Sequence, residues 1–458
     1  MRIFLPLLSL ALTFSCSSGT SDKTNQDSAT TQLVTVLDLK AGTFIQLSCA
    51  NDASNSYEVY LPIGFNKTDK YKVVIFFDAH GNGHLPLEKY KSLADNYNYI
   101  FVGSNSSKNG LDMNTALQIG NGLIIDVENR LPYIHGEVVL CGFSGGARTA
   151  AALGQNQSDL KGIICNSAAP QTALPGKVFV GLAGLGDMNY LEMRKHEDVL
   201  SGSIFPHELI VFDGKHEWAP VSVMEDALLI TGAFVPTTNH ATDDTLMASI
   251  LCKKILHDVD SIKKISCLLA NNLLETGLHC AKGGKFESAM QKKHDAVSKD
   301  ACVKSDEAAW KSAEAQESQL QQELGSAIMQ QDTTWWKANE SKYFETTKTG
   351  AEKFMRQRLR GYASLMCYSY ANQAFKTHNL HAAEKLVSIY SIVDPTNSEW
   401  AYMRAQLYIE IGMKDVALSA LEKAVELGFN DQLRLQNDPA FLSLQSDARF
   451  SALYGKMK

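Results

Sequence analysis

The sequence has no C-x-x-C pair among its nine cysteines, so neither a zinc knuckle nor a dithiol redox centre is signalled. It has no basic stripe, and its formal net charge of −7 argues against a general binder of nucleic acid or anionic membranes. The apolar run at the start, "MRIFLPLLSLALTFSC", is too short to span a bilayer as a permanent helix. What is present is ordinary for a soluble globular protein: 45% hydrophobic and 20% charged residues in 458, enough for two or three domains.

Arg2, an apolar core and small residues before Cys16 have the shape of a secretory signal. Cys16 followed by Ser17, Ser18 and Gly19 resembles a bacterial lipoprotein processing site, with Thr13 standing where Leu is usual. That resemblance implies a signal peptide over 1–15, lipidation at Cys16 and a Ser/Thr-rich flexible tether over 16–32. It also implies a lipid-anchored place in the bacterial cell envelope, periplasmic or at the outer-membrane surface. Cys141 and Cys165 sit in apolar strand-like runs and read as inert core thiols. Cys49, Cys252, Cys267, Cys280, Cys302 and Cys367 are available for pairing in an oxidising compartment, with connectivity open.

From 33 to 238 the chain alternates β-rich runs (57–62, 73–77, 99–103, 137–142, 161–166, 178–184, 208–213) with helix-like stretches (86–97, 114–131, 146–155, 189–200, 220–233). Runs apolar on both faces and separated by helices argue for a mostly parallel sheet covered on both sides, an α/β domain. Runs near 33–38 and 43–49, with 57–62, suggest an antiparallel edge. After about 240 the texture becomes helical throughout. Residues 239–363 read as several helices, and "SDEAAWKSAEAQESQLQQELGSAIMQQ" as a solvated one. Over 364–458, aligning 364–397 with 398–431 superposes Ala371 on Ala405, Ala383 on Ala417 and Val387 on Leu421. The 34-residue offset is the period of tetratricopeptide helix pairs, with 432–458 as a capping segment. Such repeats bind protein partners. Trp335, Trp336 and Tyr343 are candidates either for a binding surface or for helix packing.

The chemistry centres on "LCGFSGGART", residues 140–149, which fits G-x-S-x-G around Ser144. A serine hydroxyl needs a base and an orienting acid, and the elbow order is Ser, then acid, then His. "VFVGLAGLGDMNY" delivers Asp187 just past a strand, and "ELIVFDGKHEWAP" delivers His216 past the next. Asp213 competes as the acid; His207 lies at the wrong end of its strand. Oxyanion donors are expected from the Gly145 N–H and from Ala79, His80 or Gly81 in "VVIFFDAHGNG". Trp218 reads as a core anchor or a substrate wall.

Together "HGNG", "GFSGG", "GLGD" and "GKHEW" resemble the α/β-hydrolase superfamily, particularly secreted bacterial esterases, dienelactone-hydrolase-like and prolyl-oligopeptidase-like enzymes. The resemblance covers less than half the chain. It implies Ser144 as nucleophile, His216 as base and Asp187 as acid in a carboxylic ester hydrolase, with no metal or organic cofactor. Lys215 departs from the pattern, standing where a second glycine is common. The short segment 167–178 argues for an open site rather than a lipase tunnel. The triad does not separate ester from peptide substrates, so a peptidase of the same fold remains open. So does a catalytically inert repeat-bearing lipoprotein that recruits a protein partner.

Overall fold

The computed structural model describes residues 39–172, 174–203, 205–235, 238–241 and 245–457. The expected strand at 33–38 and the signal, Cys16 and tether lie outside them. Strands β1 (Phe44–Cys49) and β2 (Asp52–Tyr60) form an antiparallel hairpin. Strand and helix then alternate as β3 (Tyr71–Phe77), α1 (His84–Tyr97), β4 (Tyr99–Ser104), α2 (Met113–Arg130), β5 (Tyr133–Phe143) and α3 (Gly145–Asn156). After β6 (Gly162–Asn166) come β7 (Val178–Gly184), α4 (Tyr190–Leu200), β8 (His207–Phe212) and α5 (Val221–Ala233).

The eight strands form one sheet in the order β1-β2-β4-β3-β5-β6-β7-β8. β3 through β8 run parallel, and β2 joins β4 antiparallel. Every residue of β4, β6 and β7 is buried, which accounts for runs apolar on both faces. Phe76, Phe101, Tyr90 and Leu228 pack together beneath α1 and α5, while Ala147 and Ala151 of α3 meet Ile163 and Cys165 on the other face. Each large apolar side chain buried this way contributes about 1.5–3 kcal/mol. This is the α/β-hydrolase fold. Its strand order reverses around β3, so the carboxyl ends of β3 and β5 border a crevice.

A small antiparallel pair, β9 (Phe234–Val235) and β10 (Thr238–Ala241), precedes the helices; the sequence texture gives no sign of it. The helices are α6 (Thr245–Lys263), α7 (Cys267–Ala281), α8 (Glu287–Ser298), α9 (Ala301–Gln330), α10 (Thr333–Phe344), α11 (Gly350–Lys376), α12 (Leu380–Val393), α13 (Glu399–Glu410), α14 (Lys414–Glu426) and α15 (Gln432–Asn437). A 3-10 turn (Pro439–Leu444) and α16 (Ala448–Tyr454) follow. α11–α12 and α13–α14 are two helix hairpins. Their turns place His378 (φ +52°) and Gly412 (φ +81°), 34 residues apart, in the same left-handed conformation. Ala371, Ala383, Ala405 and Ala417 are fully buried where the helices approach one another.

The helices are not a separate body. Leu251 and Ile255 of α6 and Leu274 of α7 extend the core under α5, and Ala183 and Leu185 at the end of β7 join the core of α9–α16. From Leu39 onward the chain is one compact unit, and the boundary expected at 363/364 falls inside α11. α9 differs from the solvated helix expected of it. Trp310, Ala313, Glu317, Leu320, Leu324 and Ala327 form a buried stripe at helical spacing, carrying one carboxylate inside. Trp336 and Tyr343 are fully buried and Trp335 packs against them, so this aromatic group is core. No helix among the described residues is long and apolar enough to cross a membrane.

Of the six cysteines available for pairing, Cys267 and Cys302 form a disulfide between the starts of α7 and α9. Cys49, Cys252, Cys280 and Cys367 are buried free thiols instead. Burial pushes the Cys252 thiol up to about 11 and Cys367 to about 12, as expected of inert packing residues. The bond joins residues 35 apart, and loop-closure entropy over that length stabilises by about 3–4 kcal/mol. Replacing Cys302 by Ser is expected to lower the melting temperature by several degrees. Dithiothreitol should lower it comparably in the unaltered protein and leave the variant unmoved.

Candidate active site

Ser144 closes β5 and opens α3, with φ +54° and ψ −119°. Residues other than glycine rarely adopt such a conformation, which costs on the order of 1–3 kcal/mol and persists only where neighbours over-determine it. Two glycines make that possible. A Cβ on Gly146 would overlap the Phe77 carbonyl oxygen, and one on Gly142 would overlap the Gly146 carbonyl oxygen. The turn therefore packs backbone against backbone. The Ser144 N–H donates to the Asn166 carbonyl (2.9 Å), while the Ser144 carbonyl accepts from the Ala147 N–H (3.0 Å) at the start of α3. The hydroxyl is thus carried above the carboxyl edge of the sheet.

Asp187 and His216 reach the same edge on the turns after β7 and β8. Leu185 N–H donates to the Phe212 carbonyl and Gly186 N–H to that of Gly214, stitching the two turns together. His216 Nδ1 lies 2.9 Å from Asp187 Oδ1, and its Nε2 lies 2.9 Å from Ser144 Oγ. An ionised carboxylate only accepts, so Nδ1 carries the proton and Nε2 of the neutral ring accepts the serine hydroxyl. Asp187 is fully buried; its Oδ1 also accepts from the Asn189 N–H. Asp213 is exposed at the end of β8, and the His207 ring lies against the Phe205 carbonyl at the opposite end, so neither enters this relay.

Around Ser144 the amides divide cleanly. His80 N–H donates to Asp78 Oδ1 and Gly81 N–H to the Asp78 carbonyl, which removes two of the three expected loop donors. The N–H groups of Ala79 and Gly145 donate to no group among the described residues. Gly145 also heads α3, whose dipole favours negative charge there.

Several supporting residues carry no motif. Asn166, fully buried at the end of β6, accepts from the Ala219 N–H and donates to the Glu217 carbonyl, gripping the His216 turn from both sides. Asn109 donates its N–H to the Ala79 carbonyl and lays its exposed side chain against Gly145. Trp218 is core. Its ring meets Phe143, Phe76 and Tyr90, and its indole N–H donates to Asp78 Oδ2 at 2.8 Å. Asn109 and Asn166 could not be found from spacing, because each acts through a partner distant in sequence.

Burial works to raise the Asp78 carboxyl, but the His80 ring 3.6 Å away and hydrogen bonds from the Trp218 indole and the His80 amide outweigh it and hold it below the usual value. The nearby Asp78 carboxylate raises His80 in turn.

A scan against protein-family models and a search of curated proteins each gave no match. Among solved structures the chain is similar to an S-formylglutathione hydrolase from Staphylococcus aureus, at 13% identity over 41% of this chain and 98% of that one, TM-score 0.35. It is also similar to a feruloyl esterase module from Clostridium thermocellum (14%, 42% and 88%, TM-score 0.35). A ferulic acid esterase from the anaerobic fungus Anaeromyces mucronatus is similar too (18%, 43% and 89%, TM-score 0.32).

Two outcomes follow. Gly146→Ala forces a methyl group against the Phe77 carbonyl and is expected to destabilise by at least about 1–3 kcal/mol, read from the denaturation midpoint. Asp78 has a lowered pKa, so its contribution is complete above about pH 4 and lost as the pH falls through the folded value. His80 has a raised pKa, so its contribution is present below about 6.5 and lost as the pH rises through the folded value. The melting-temperature gap between wild type and Asp78→Asn should be widest between these limits and shrink at pH 3 and pH 8.

Proposed function

We propose that the chain is a serine hydrolase acting on carboxylic esters. The observation that carries this reading is the pair of 2.9 Å contacts linking Ser144 Oγ, His216 and buried Asp187 above one edge of a parallel sheet. Ser144 Oγ attacks the ester carbonyl carbon as His216 Nε2 takes the hydroxyl proton. Asp187 holds the ring and offsets its positive charge. The developing oxyanion lies toward the N–H groups of Gly145 and Ala79, which donate to no group among the described residues. Collapse expels the alkoxide, which takes the proton from His216, and leaves an acyl-serine. Water, deprotonated by the same nitrogen, then releases the acid and restores Ser144.

The favoured esters carry short acyl groups. The segment between β6 and β7 covers only 167–177, too short to wall an acyl tunnel. We assign the chain to the cell envelope through lipidation at Cys16; a disulfide within α7–α9 fits an oxidising compartment. The hairpins α11–α12 and α13–α14 support a tetratricopeptide-like reading and a role in protein docking.

A fluorophosphonate probe should label the full chain at Ser144, and Ser144→Ala should abolish labelling. The same substitution should lower hydrolysis of p-nitrophenyl acetate by about 10⁶-fold. Well-folded protein that takes no label rejects the reading. A wide preference for long-chain esters rejects the short acyl group alone. Cys16→Ser is expected to release the protein from membranes, and unchanged partitioning in a membrane fraction rejects the anchor.

A further inference from the structure

α11 makes three consecutive contacts with the turn that carries the acid. Arg358 Nη1 donates to the Leu185 carbonyl at 2.7 Å. Gln357 lies so close to Gly186 that a Cβ there would overlap its side-chain oxygen. Gly361 lies against Met188, and a Cβ on that glycine would stand 3.5 Å from the Met188 Cβ. Residues 185, 186 and 188 bracket Asp187, and residues 357, 358 and 361 share one face of the helix.

Arg358 is fully buried, and its other donors are fixed. Nε and Nη2 donate to Glu317 Oε2 at 2.8 and 2.6 Å, and the guanidinium stacks 4.6 Å from the Tyr190 ring. Burial raises the Glu317 carboxyl, opposed by the adjacent guanidinium. A buried ion pair contributes little net stability, since desolvation offsets the attraction. Orientation is another matter: a planar, doubly held guanidinium has one direction in which to present Nη1. β8 and the turn after it hold the same segment through the Leu185 and Gly186 amides. Without Arg358 the Leu185 carbonyl is a buried acceptor with no partner, and the peptide before Gly186-Asp187 is free to rotate toward another donor.

We infer that Arg358, held by Glu317, is a positioning residue for Asp187, so that the helical half forms part of the hydrolytic site. This rests on the serine-hydrolase reading above. The side chain touches no reacting atom. It acts by fixing the carboxylate that orients His216, and a displacement of about 1 Å there can cost about 10²-fold in rate.

The test uses the full chain. Glu317→Leu combined with Arg358→Met removes both charges together, so that no unpaired ion is left inside. Arg360→Met is the structural control: Arg360 lies two residues further along α11 and donates to the Val393 and Phe344 carbonyls within the helical half. The double variant is expected to lose about 10²-fold in kcat on p-nitrophenyl acetate with KM unchanged. It should also lose the far-downfield proton resonance of the His216 Nδ1–H bonded to Asp187. Arg360→Met should lower the melting temperature while keeping kcat and that resonance. If the double variant does not fold, Arg358→Lys serves instead, because one ammonium cannot span both Glu317 and the Leu185 carbonyl; the same kcat loss and loss of resonance are expected. Retention of the resonance, or a kcat loss no greater than that of Arg360→Met, overturns the role of Arg358 while Ser144 labelling leaves the hydrolase reading standing. Absence of labelling in the wild type removes that reading and this inference together.

Discussion

The approach of the Gly146 backbone to the carbonyl of Phe77 is the constraint on which the site depends. Two parallel strands lie about 4.8 Å apart, and α3 must leave the end of β5 and pass across its neighbour β3 without a side chain in between. Ser144 takes a positive φ at the one residue where strand gives way to helix. Its hydroxyl then stands clear of the sheet, its amide is spent on Asn166, and the following N–H, at the head of a helix, has no acceptor among the described residues. An exposed hydroxyl, an amide with no partner among the described residues and a helix dipole thus come from one backbone manoeuvre, and two positions without Cβ permit it.

Around that turn the remaining groups are fixed by hydrogen bonds that cross between strands. Asn166 joins the end of β6 to the His216 turn, Asp78 joins the end of β3 to Trp218, and the backbone of 185–186 joins β7 to β8. Each is buried or nearly so, where an unpaired polar group costs about 1–3 kcal/mol. That penalty keeps each turn in a single arrangement. Buried polar partners rather than apolar contacts therefore set the angles at this edge of the sheet, where preorganisation matters most.

The helical half changes the architecture more than its composition suggests. It merges with the sheet through two apolar cores, and α11 meets the Asp187 turn directly. A linker-joined module would leave that turn facing water. Here it faces a guanidinium that water does not reach.

Much of this was legible in the residues. Apolar runs of strand length separated by helix formers dictated a parallel sheet, because only strands buried on both faces read that way. Ser144, Asp187 and His216 were visible because each follows its own strand, and strand ends share an edge. The 34-residue spacing marked two helix hairpins because equivalent small residues recur wherever helices touch. Glu317 shows where such reading stops. Its position in the stripe of Trp310, Ala313, Leu320 and Leu324 could have marked it as buried, but nothing in its neighbourhood names Arg358. The free amides of Ala79 and Gly145, the single disulfide among the candidates, and the grip of α11 on the acid turn likewise depend on separations of tens to hundreds of residues. Local periodicity determined which segments are strands and helices and which side chains end them. Only the packed chain decided which partners meet, because hydrogen bonds and ion pairs form by distance in space, and that distance is set by the fold as a whole.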